Sequence, residues 1–358
     1  MRDIEVLVVD DSSFFRNTFR KILAKDNIKV VGTARDGKEA IDKTLELKPS
    51  IITMDVEMPV MNGLESLKEI MKVYPTPVLM VSSLTSDGAD ATITALNRGA
   101  SDFVTKKSGF GEMHGMKTEI ISKINAICNN NNLVSSFDSR RRIAQKISSG
   151  SDKTENSEEE IQIIKRLRIS RKIEAIGIGV STGGPQALKK LFSELGKGFK
   201  VPIFVTQHMP PKFTKSLATR LNRECGHDIK EAEDGELVRG GNIYIAPGGK
   251  HLTISPTRKI KLSDEPSDVL YRPSVDVMFD SIINSYGEKT IGIMLTGMGH
   301  DGAMGINRLH TSGGYVIAQS PLSCVVSGMV ESCLKKNAVD MIAPIDKIPE
   351  VLNSHFGL

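Results

Sequence analysis

Between Ile176 and Leu188 the sequence reads IGIGVSTGGPQAL. An apolar run breaks at Gly179 into a Ser-Thr pair, two glycines and a proline. A hydroxyl at such a strand-to-helix turn serves either a bound phosphate or nucleophilic attack. A dinucleotide cradle, G-x-G-x-x-G, needs glycine at position 182, where Thr182 stands. It also needs an acid at the end of the next strand, where VPIFVT runs into Gln207-His208. A phosphate-binding GK[ST] is absent as well. Gly179-Val180-Ser181-Thr182-Gly183 reads instead as a G-x-S-x-G elbow, whose glycines let the chain turn sharply and lift the Ser181 hydroxyl to the top of a sheet. That pattern recurs by chance, so it needs partners. A serine nucleophile requires a base, and the base requires an orienting carboxylate. Among seven histidines, His208 ends the strand after the elbow strand and so emerges on the same sheet edge. His251 opens HLTIS, where packing suits it better; His114, His227, His310 and His355 fall in polar or terminal contexts. Asp301 lies in TIGIMLTGMGHDGAMG, another apolar strand breaking into a glycine-rich loop. His300 is the rival base, but it adjoins Asp301, and sequence neighbours rarely face each other well. The order Ser181, His208, Asp301 differs from the serine, acid, histidine order of α/β-hydrolases and argues against a lipase-type fold.

A second constellation lies nearer the N-terminus. Asp10 and Asp11 follow EVLVV, Asp55 follows SIITM, Ser82 closes PVLMV and Lys106 follows DFVT. In a parallel sheet, ligand sites form where strands end. Three carboxylates brought together repel unless a cation fills the gap. Oxygen-only ligands suit a hard ion, so Mg²⁺ is the natural occupant of an Asp10, Asp11, Asp55 cluster. A cap or a turn explains any one of these residues; it does not explain all five at successive strand ends.

Positioning these groups requires particular elements. Residues 1–125 alternate apolar runs (EVLVV, KVVGTA, SIITM, PVLMVS, DFVT) with amphipathic stretches such as SFFRNTFRKILAK. That βαβα rhythm predicts a parallel sheet with helices on both faces. Residues 126–170 hold NNNN, SSG, SEEE and RRR and read as a solvated linker, with one helix over EEEIQIIKRLR. From 171 to 358 the alternation resumes, as a doubly wound α/β domain with a mainly parallel sheet. There the YIAP-to-KIKL stretch is expected to form inserted antiparallel strands. A chain of 358 residues exceeds one ordinary core and fits two domains with a linker. A hydrophobic content of 39%, a charged content of 25% and a net charge of +4 fit a soluble protein without a nucleic-acid partner. The start, MRDIEVLVVDD, has no signal-peptide core, and no apolar run reaches the ~18 residues of a membrane span. A cytoplasmic location without membrane insertion is expected. The four cysteines form no CxxC pair and read as reduced packing residues.

VVDDS, MDVEMPVMNG, MVSS and GASDFVTKK resemble, in order and spacing, the receiver domain of response regulators. The resemblance implies that Asp55 accepts a phosphoryl group from a chemotaxis histidine kinase and that Asp10 and Asp11 help hold Mg²⁺. It further implies that Ser82 bonds the phosphoryl oxygens, Lys106 pairs with the charge and Phe103 is the switch aromatic. Lys107 stands where the family usually has proline. IGVSTGGPQAL, VTQHMP, YIAPGGKHL, RPSVDVMF, LTGMGHDGA and CVVSGM are similar to the catalytic domain of the CheB protein-glutamate methylesterases. That implies Ser181 as nucleophile, His208 as general base, Asp301 as its orienting acid, the Met298 N–H as an oxyanion donor and Thr182 as an active-site neighbour. The implied reaction is demethylation of glutamate γ-methyl esters, and deamidation of glutamines, on methyl-accepting chemoreceptors, with no cofactor in the catalytic domain. The receiver is expected to cover the catalytic face until it is phosphorylated. His300 replaces the family's usual asparagine, and QSPLSCVVSGM lacks a common acid. A DNA-binding response regulator is disfavoured, since no basic recognition helix follows the receiver. A non-catalytic scaffold would have lost members of the serine, histidine, aspartate set; here all three are present.

Overall fold

The computed structural model describes residues 3–24, 27–106, 110–130, 135, 137, 141 and 172–358, with backbone alone for 110–114. The chain divides into two compact units, within 1–160 and 161–358. Most of the expected linker, its EEEIQIIKRLR helix and the Lys107 position lie outside the described residues.

The first unit alternates strands and helices: β1 (Ile4–Val9), α1 (Ser13–Ile22), β2 (Ile28–Ala34), α2 (Gly37–Leu47), β3 (Ile51–Asp55), α3 (Gly63–Val73), β4 (Val78–Ser82), α4 (Ser86–Asn97), β5 (Asp102–Thr105) and α5 (Phe110–Cys128). Its strands form one parallel sheet in the order β2-β1-β3-β4-β5. Val6, Val8, Ile52, Met54, Leu79 and Val81 are buried, because helices cover both faces of the sheet. Side-chain caps set the helix starts. Asp36 accepts the Glu39 N–H at 2.9 Å, Asn62 and Glu65 form a reciprocal capping box, and Thr85 accepts the Gly88 N–H at 3.0 Å. α5 runs to Cys128, past the boundary read at 125, because Ile120, Ile124 and Ile127 continue one buried face. Of the described residues of the expected linker beyond α5, one is buried and another is bonded to this unit. Phe137 is buried, and the Arg141 Nε–H donates to the Pro75 carbonyl at 2.8 Å with its guanidinium over the Tyr74 ring.

The second unit contains β6 (Ala175–Val180), α6 (Gly184–Glu194), β7 (Ile203–Gln207), α7 (Phe213–Cys225), β8 (Asp228–Glu231), β9 (Asn242–Ile245), β10 (His251–Ile254), β11 (Ile260–Ser263), α8 (Val275–Tyr286), β12 (Thr290–Met294), α9 (Ala303–Thr311), β13 (Tyr315–Gln319), α10 (Gly328–Leu334), β14 (Met341–Ala343) and α11 (Ile348–Phe356). Seven of the strands form a sheet in the order β14-β13-β12-β6-β7-β9-β8, with every pair parallel. The YIAP strand, β9, is therefore a member of the parallel sheet, a correction to the antiparallel expectation. Among the described strands, β10 and β11 alone pair antiparallel. β9 is buried on both faces, which suits a parallel strand flanked by β7 and β8.

The glycines of IGIGV have a packing role. A Cβ on Gly177 would meet Phe279 at 2.7 Å and Ile282 at 2.9 Å, and one on Gly179 would collide with Val275. They let α8 close directly onto β6. From β6 the chain winds one way through β7, and from β12 the other way through β13 and β14. The carboxyl ends of β6 and β12 thus flank a topological switch point, where open α/β sheets form their sites.

Candidate functional site

Ser181 follows β6 at that switch point and is half-buried. Gly183, at φ +80°, adopts the left-handed conformation that turns the chain into α6. The Ser181 N–H donates to the Thr296 carbonyl at 3.0 Å, tying the turn to the loop after β12. On the other side, the His208 N–H donates to the Val180 carbonyl at 3.1 Å, the last rung between β6 and β7. Ser181 and His208 therefore leave adjacent strands at one edge.

His208 Nε2 and Asp301 Oδ2 are 2.7 Å apart, and both side chains are almost fully buried. Asp301 accepts three further hydrogen bonds. Val275 N–H reaches Oδ2 at 2.7 Å, and the Ser274 hydroxyl and Asp276 N–H reach Oδ1 at 2.9 and 3.2 Å. Asp301 thus sits on the N-terminus of α8, where unpaired N–H groups favour an anion. Burial pushes its pKa up, but the His208 bond and these N–H donors outweigh burial and hold the carboxyl below its ordinary value. The relation is reciprocal. Asp276, at the start of α8, accepts the Gly305 N–H of α9 at 2.6 Å. Each helix is capped by an acid from the other's approach, which locks the Asp301 loop.

With Nε2 on the acid, Nδ1 is the ring nitrogen left for reaction; it is buried and has no hydrogen-bond partner among the described residues. Tyr271 stacks on the imidazole at 4.1 Å and 8° between planes. His251 is fully buried: its Nδ1 accepts the Ser274 N–H at 3.2 Å and its Nε2 donates to the Pro266 carbonyl at 3.1 Å. Burial lowers its pKa, consistent with that neutral tautomer. His300 is exposed and stands apart from this network. The Met298 N–H makes no bond among the described residues, while Gly297 on one side is held by Val326 and Met329. Thr182 is buried, and its carbonyl accepts the Thr296 hydroxyl at 2.9 Å. Tyr271, Ser274 and Asp276 lay outside the sequence reading, and Gln207 entered it only as the end of the VPIFVT strand. Each acts through a tertiary contact; the motif segments RPSVDVMF and VTQHMP contain Ser274, Asp276 and Gln207, and Tyr271 lies one residue before the first of them.

At the β-strand ends of the first unit, Asp10, Asp11 and Asp55 each place a carboxylate oxygen within 4.8 Å of the others. Three oxygen donors at that spacing fit a hard divalent cation. Lys106 Nζ bridges Asp55 Oδ2 at 2.6 Å and Asp10 Oδ2 at 2.9 Å, above the Phe15 ring. Burial raises the Asp55 pKa to about 6, against the pull of Lys106. Burial likewise works against charge on Lys106, but its bonds to Asp55 and Asp10 prevail and raise its pKa. The Ser82 hydroxyl donates to the Gly88 carbonyl at 3.1 Å. Phe103 is buried on β5, with Lys123 Nζ 5.3 Å from its ring centre and hydrogen-bonded to its carbonyl.

A parallel sheet in the order β2-β1-β3-β4-β5 with an acidic cluster at its carboxyl edge, and a second α/β unit with serine, histidine and aspartate at its switch point, define a response regulator joined to a hydrolase-like unit. Residues 6–117 match the response regulator receiver domain, and 176–352 match CheB methylesterase. A relative from Thermotoga maritima, named protein-glutamate methylesterase/protein-glutamine glutaminase, is 44% identical over 358 residues, 98% of each chain. One of the same name from Lawsonia intracellularis is 40% identical over 353 residues, 96% of this chain and 97% of that one. The crystal structure of the Thermotoga maritima CheB methylesterase catalytic domain is 43% identical, covering 51% of this chain and 99% of that one at a TM-score of 0.49. The response regulator domain of Thermotoga maritima CheB is 51% identical, covering 36% of this chain and 98% of that one at a TM-score of 0.34. The chain belongs to the receiver-bearing CheB methylesterase family. Among the described residues no helix is long and apolar enough to cross a membrane.

Proposed function

We propose that this chain hydrolyses glutamate γ-methyl esters, and glutamine side-chain amides, on chemoreceptors, under control of phosphorylation at Asp55. The observation that carries the reading is the His208–Asp301 pair at the edge where the Ser181 elbow stands. Ser181 Oγ attacks the γ-carbonyl and its proton passes to His208 Nδ1. Asp301, on Nε2–H, fixes that tautomer and stabilises the imidazolium. The carbonyl oxygen becomes an oxyanion facing the Met298 N–H, with Thr182 beside it. Collapse breaks the ester C–O bond; methoxide takes the proton from Nδ1 and leaves as methanol. Water then gives a proton to His208 and attacks the acyl-enzyme, releasing Ser181 and a free carboxylate. With glutamine the leaving group is ammonia. These steps use the three side chains, the Met298 main-chain N–H and water.

In the receiver, the Asp55 carboxylate takes a phosphoryl group from a histidine kinase. A divalent cation held by Asp10, Asp11 and Asp55 would neutralise part of the added charge of about −1.5 to −2. Lys106 stays with that charge, Ser82 leaves the Gly88 carbonyl for a phosphoryl oxygen, and Phe103 responds as the switch aromatic. The receiver of this proposal extends to Cys128, the catalytic domain covers 171–358, and both partners place the reaction in the cytoplasm. Methanol release from methylated chemoreceptors tests the chemistry. Wild type should release methanol and Ser181→Ala, folded by circular dichroism, should not. A near wild-type rate from Ser181→Ala would remove Ser181 as nucleophile.

A further inference from the structure

Gln207 has no part in the reaction proposed above, yet it touches both residues that must meet. It is the last residue of β7, 1% exposed. Its Nε2 donates to the Ser181 carbonyl at 3.0 Å and to the His208 carbonyl at 3.2 Å. A carboxamide carries two N–H hydrogens, and here each carbonyl takes one. The β6–β7 ladder ends just before this point, at the bond from the His208 N–H to Val180. Beyond it Ser181 turns into α6 and His208 turns into the loop before α7, so no backbone bond spans the gap. The Gln207 amide spans it.

Its other end is equally confined. Gln207 Oε1 is buried without a hydrogen-bond partner among the described residues. It occupies the place a side chain at position 184 would need, since a Cβ on Gly184 would collide with it. The G-x-S-x-G pattern accounts for Gly179 and Gly183 but not for the second glycine of STGG. The Gly184 N–H also donates to the Ser181 carbonyl, at 2.8 Å. With Thr296 holding the Ser181 N–H, the Ser181 peptide is fastened from both sides.

We propose that Gln207 is a positioning residue that sets the spacing between the Ser181 nucleophile and the His208 base, and that Gly184 is glycine in order to admit it. The inference rests on the reading of Ser181 and His208 given above. It acts through geometry, because a reacting pair displaced by about 1 Å loses on the order of 100-fold in rate. Glutamate is nearly isosteric but has only acceptors, so a carboxylate would face two carbonyl oxygens. Methionine keeps the length and removes the donors without adding charge. Alanine at 184 would push the amide aside.

Full-length wild type, Gln207→Glu, Gln207→Met and Gly184→Ala are compared in methanol release, in the rate of covalent labelling at Ser181 by phenylmethylsulfonyl fluoride, and in thermal unfolding. In variants folded at the assay temperature, kcat and labelling rate should fall together by roughly 100-fold for Gln207→Glu and by a smaller factor for Gln207→Met. KM should stay near the wild-type value. A Gln207→Met protein with a lowered Tm but wild-type kcat and labelling rate would show a purely structural tie and overturn the inference. Gln207→Met is the mildest change, so the answer does not depend on Gln207→Glu folding. Wild type that resists labelling at Ser181 while releasing methanol would overturn the nucleophile reading, and the inference with it. Wild type labelled at Ser181 with Gln207 variants labelled equally fast would overturn the inference alone.

Discussion

Asp301 receives four hydrogen bonds, three of them from the N-cap Ser274 and the first two residues of α8, so its carboxylate is oriented before any substrate arrives. Asp301→Asn keeps the shape but puts an amide where Nε2–H must be accepted, which favours the wrong imidazole tautomer. Its kcat should drop by about 10⁴, as when the orienting acid of a serine triad is replaced; a loss under tenfold would argue against the orienting role. His208→Ala should cost a comparable factor, whereas His300→Asn should cost little, since His300 is exposed and outside the network. The opposite pattern of losses in steady-state assays would transfer the base to His300. Ser181, His208 and Asp301 were legible because each stands where an apolar run breaks into a polar or glycine-rich turn. Tyr271 and Ser274 were not, because their work depends on an approach to His208 and Asp301 across long stretches of chain. His251 was read as packing; it is buried, and it also fixes the Ser274 N–H.

At the scale of elements, runs buried on both faces announced most strands. β8 and β14 escaped because DIKE and MIA are short, lie at the two sheet edges and have no long apolar run. β9 was seen but misassigned, since four residues cannot disclose whether their neighbours run parallel. The glycines of β6 are better understood from α8 than from the elbow. Gly177→Val should force Phe279 and Ile282 outward and destabilise the second unit by about 1–3 kcal/mol, measured by urea unfolding; unchanged stability would mean the helix can shift freely. In the receiver, the strand-end cluster makes stability depend on pH. The Asp55 pKa is about 6 when folded against an ordinary 3.8, so the native state holds its proton more tightly. This group's contribution is therefore fully present below about pH 4 and lost as pH rises through about 6. Without divalent cations, Asp55→Asn should match wild type near pH 4 and exceed it by up to about 3 kcal/mol near pH 7. A stability difference that does not change with pH would contradict the burial argument.

For the whole molecule, the account requires a phosphoryl group on one unit to govern a hydrolase in the other. The sequence made both units recognisable, because their motifs lie on strand ends whose order the βαβ rhythm sets. It left the stretch between them as composition only, and the Arg141 bond to Pro75 ties part of that stretch to the receiver unit. The proposed control by phosphorylation has a definite energetic requirement: moving a population from 1:99 to 99:1 active takes about 5.5 kcal/mol of differential stabilisation. Asp55, Lys106 and a bound cation can supply part of that, so the activation should be measurable but bounded. Methanol release from methylated chemoreceptors by the full chain, with and without a small-molecule phosphodonor and Mg²⁺, tests this claim most directly. Wild type should accelerate on adding the phosphodonor, and Asp55→Asn should retain the basal rate without responding. Equal acceleration of wild type and Asp55→Asn, or none in wild type that carries a phosphoryl group on Asp55, would contradict it.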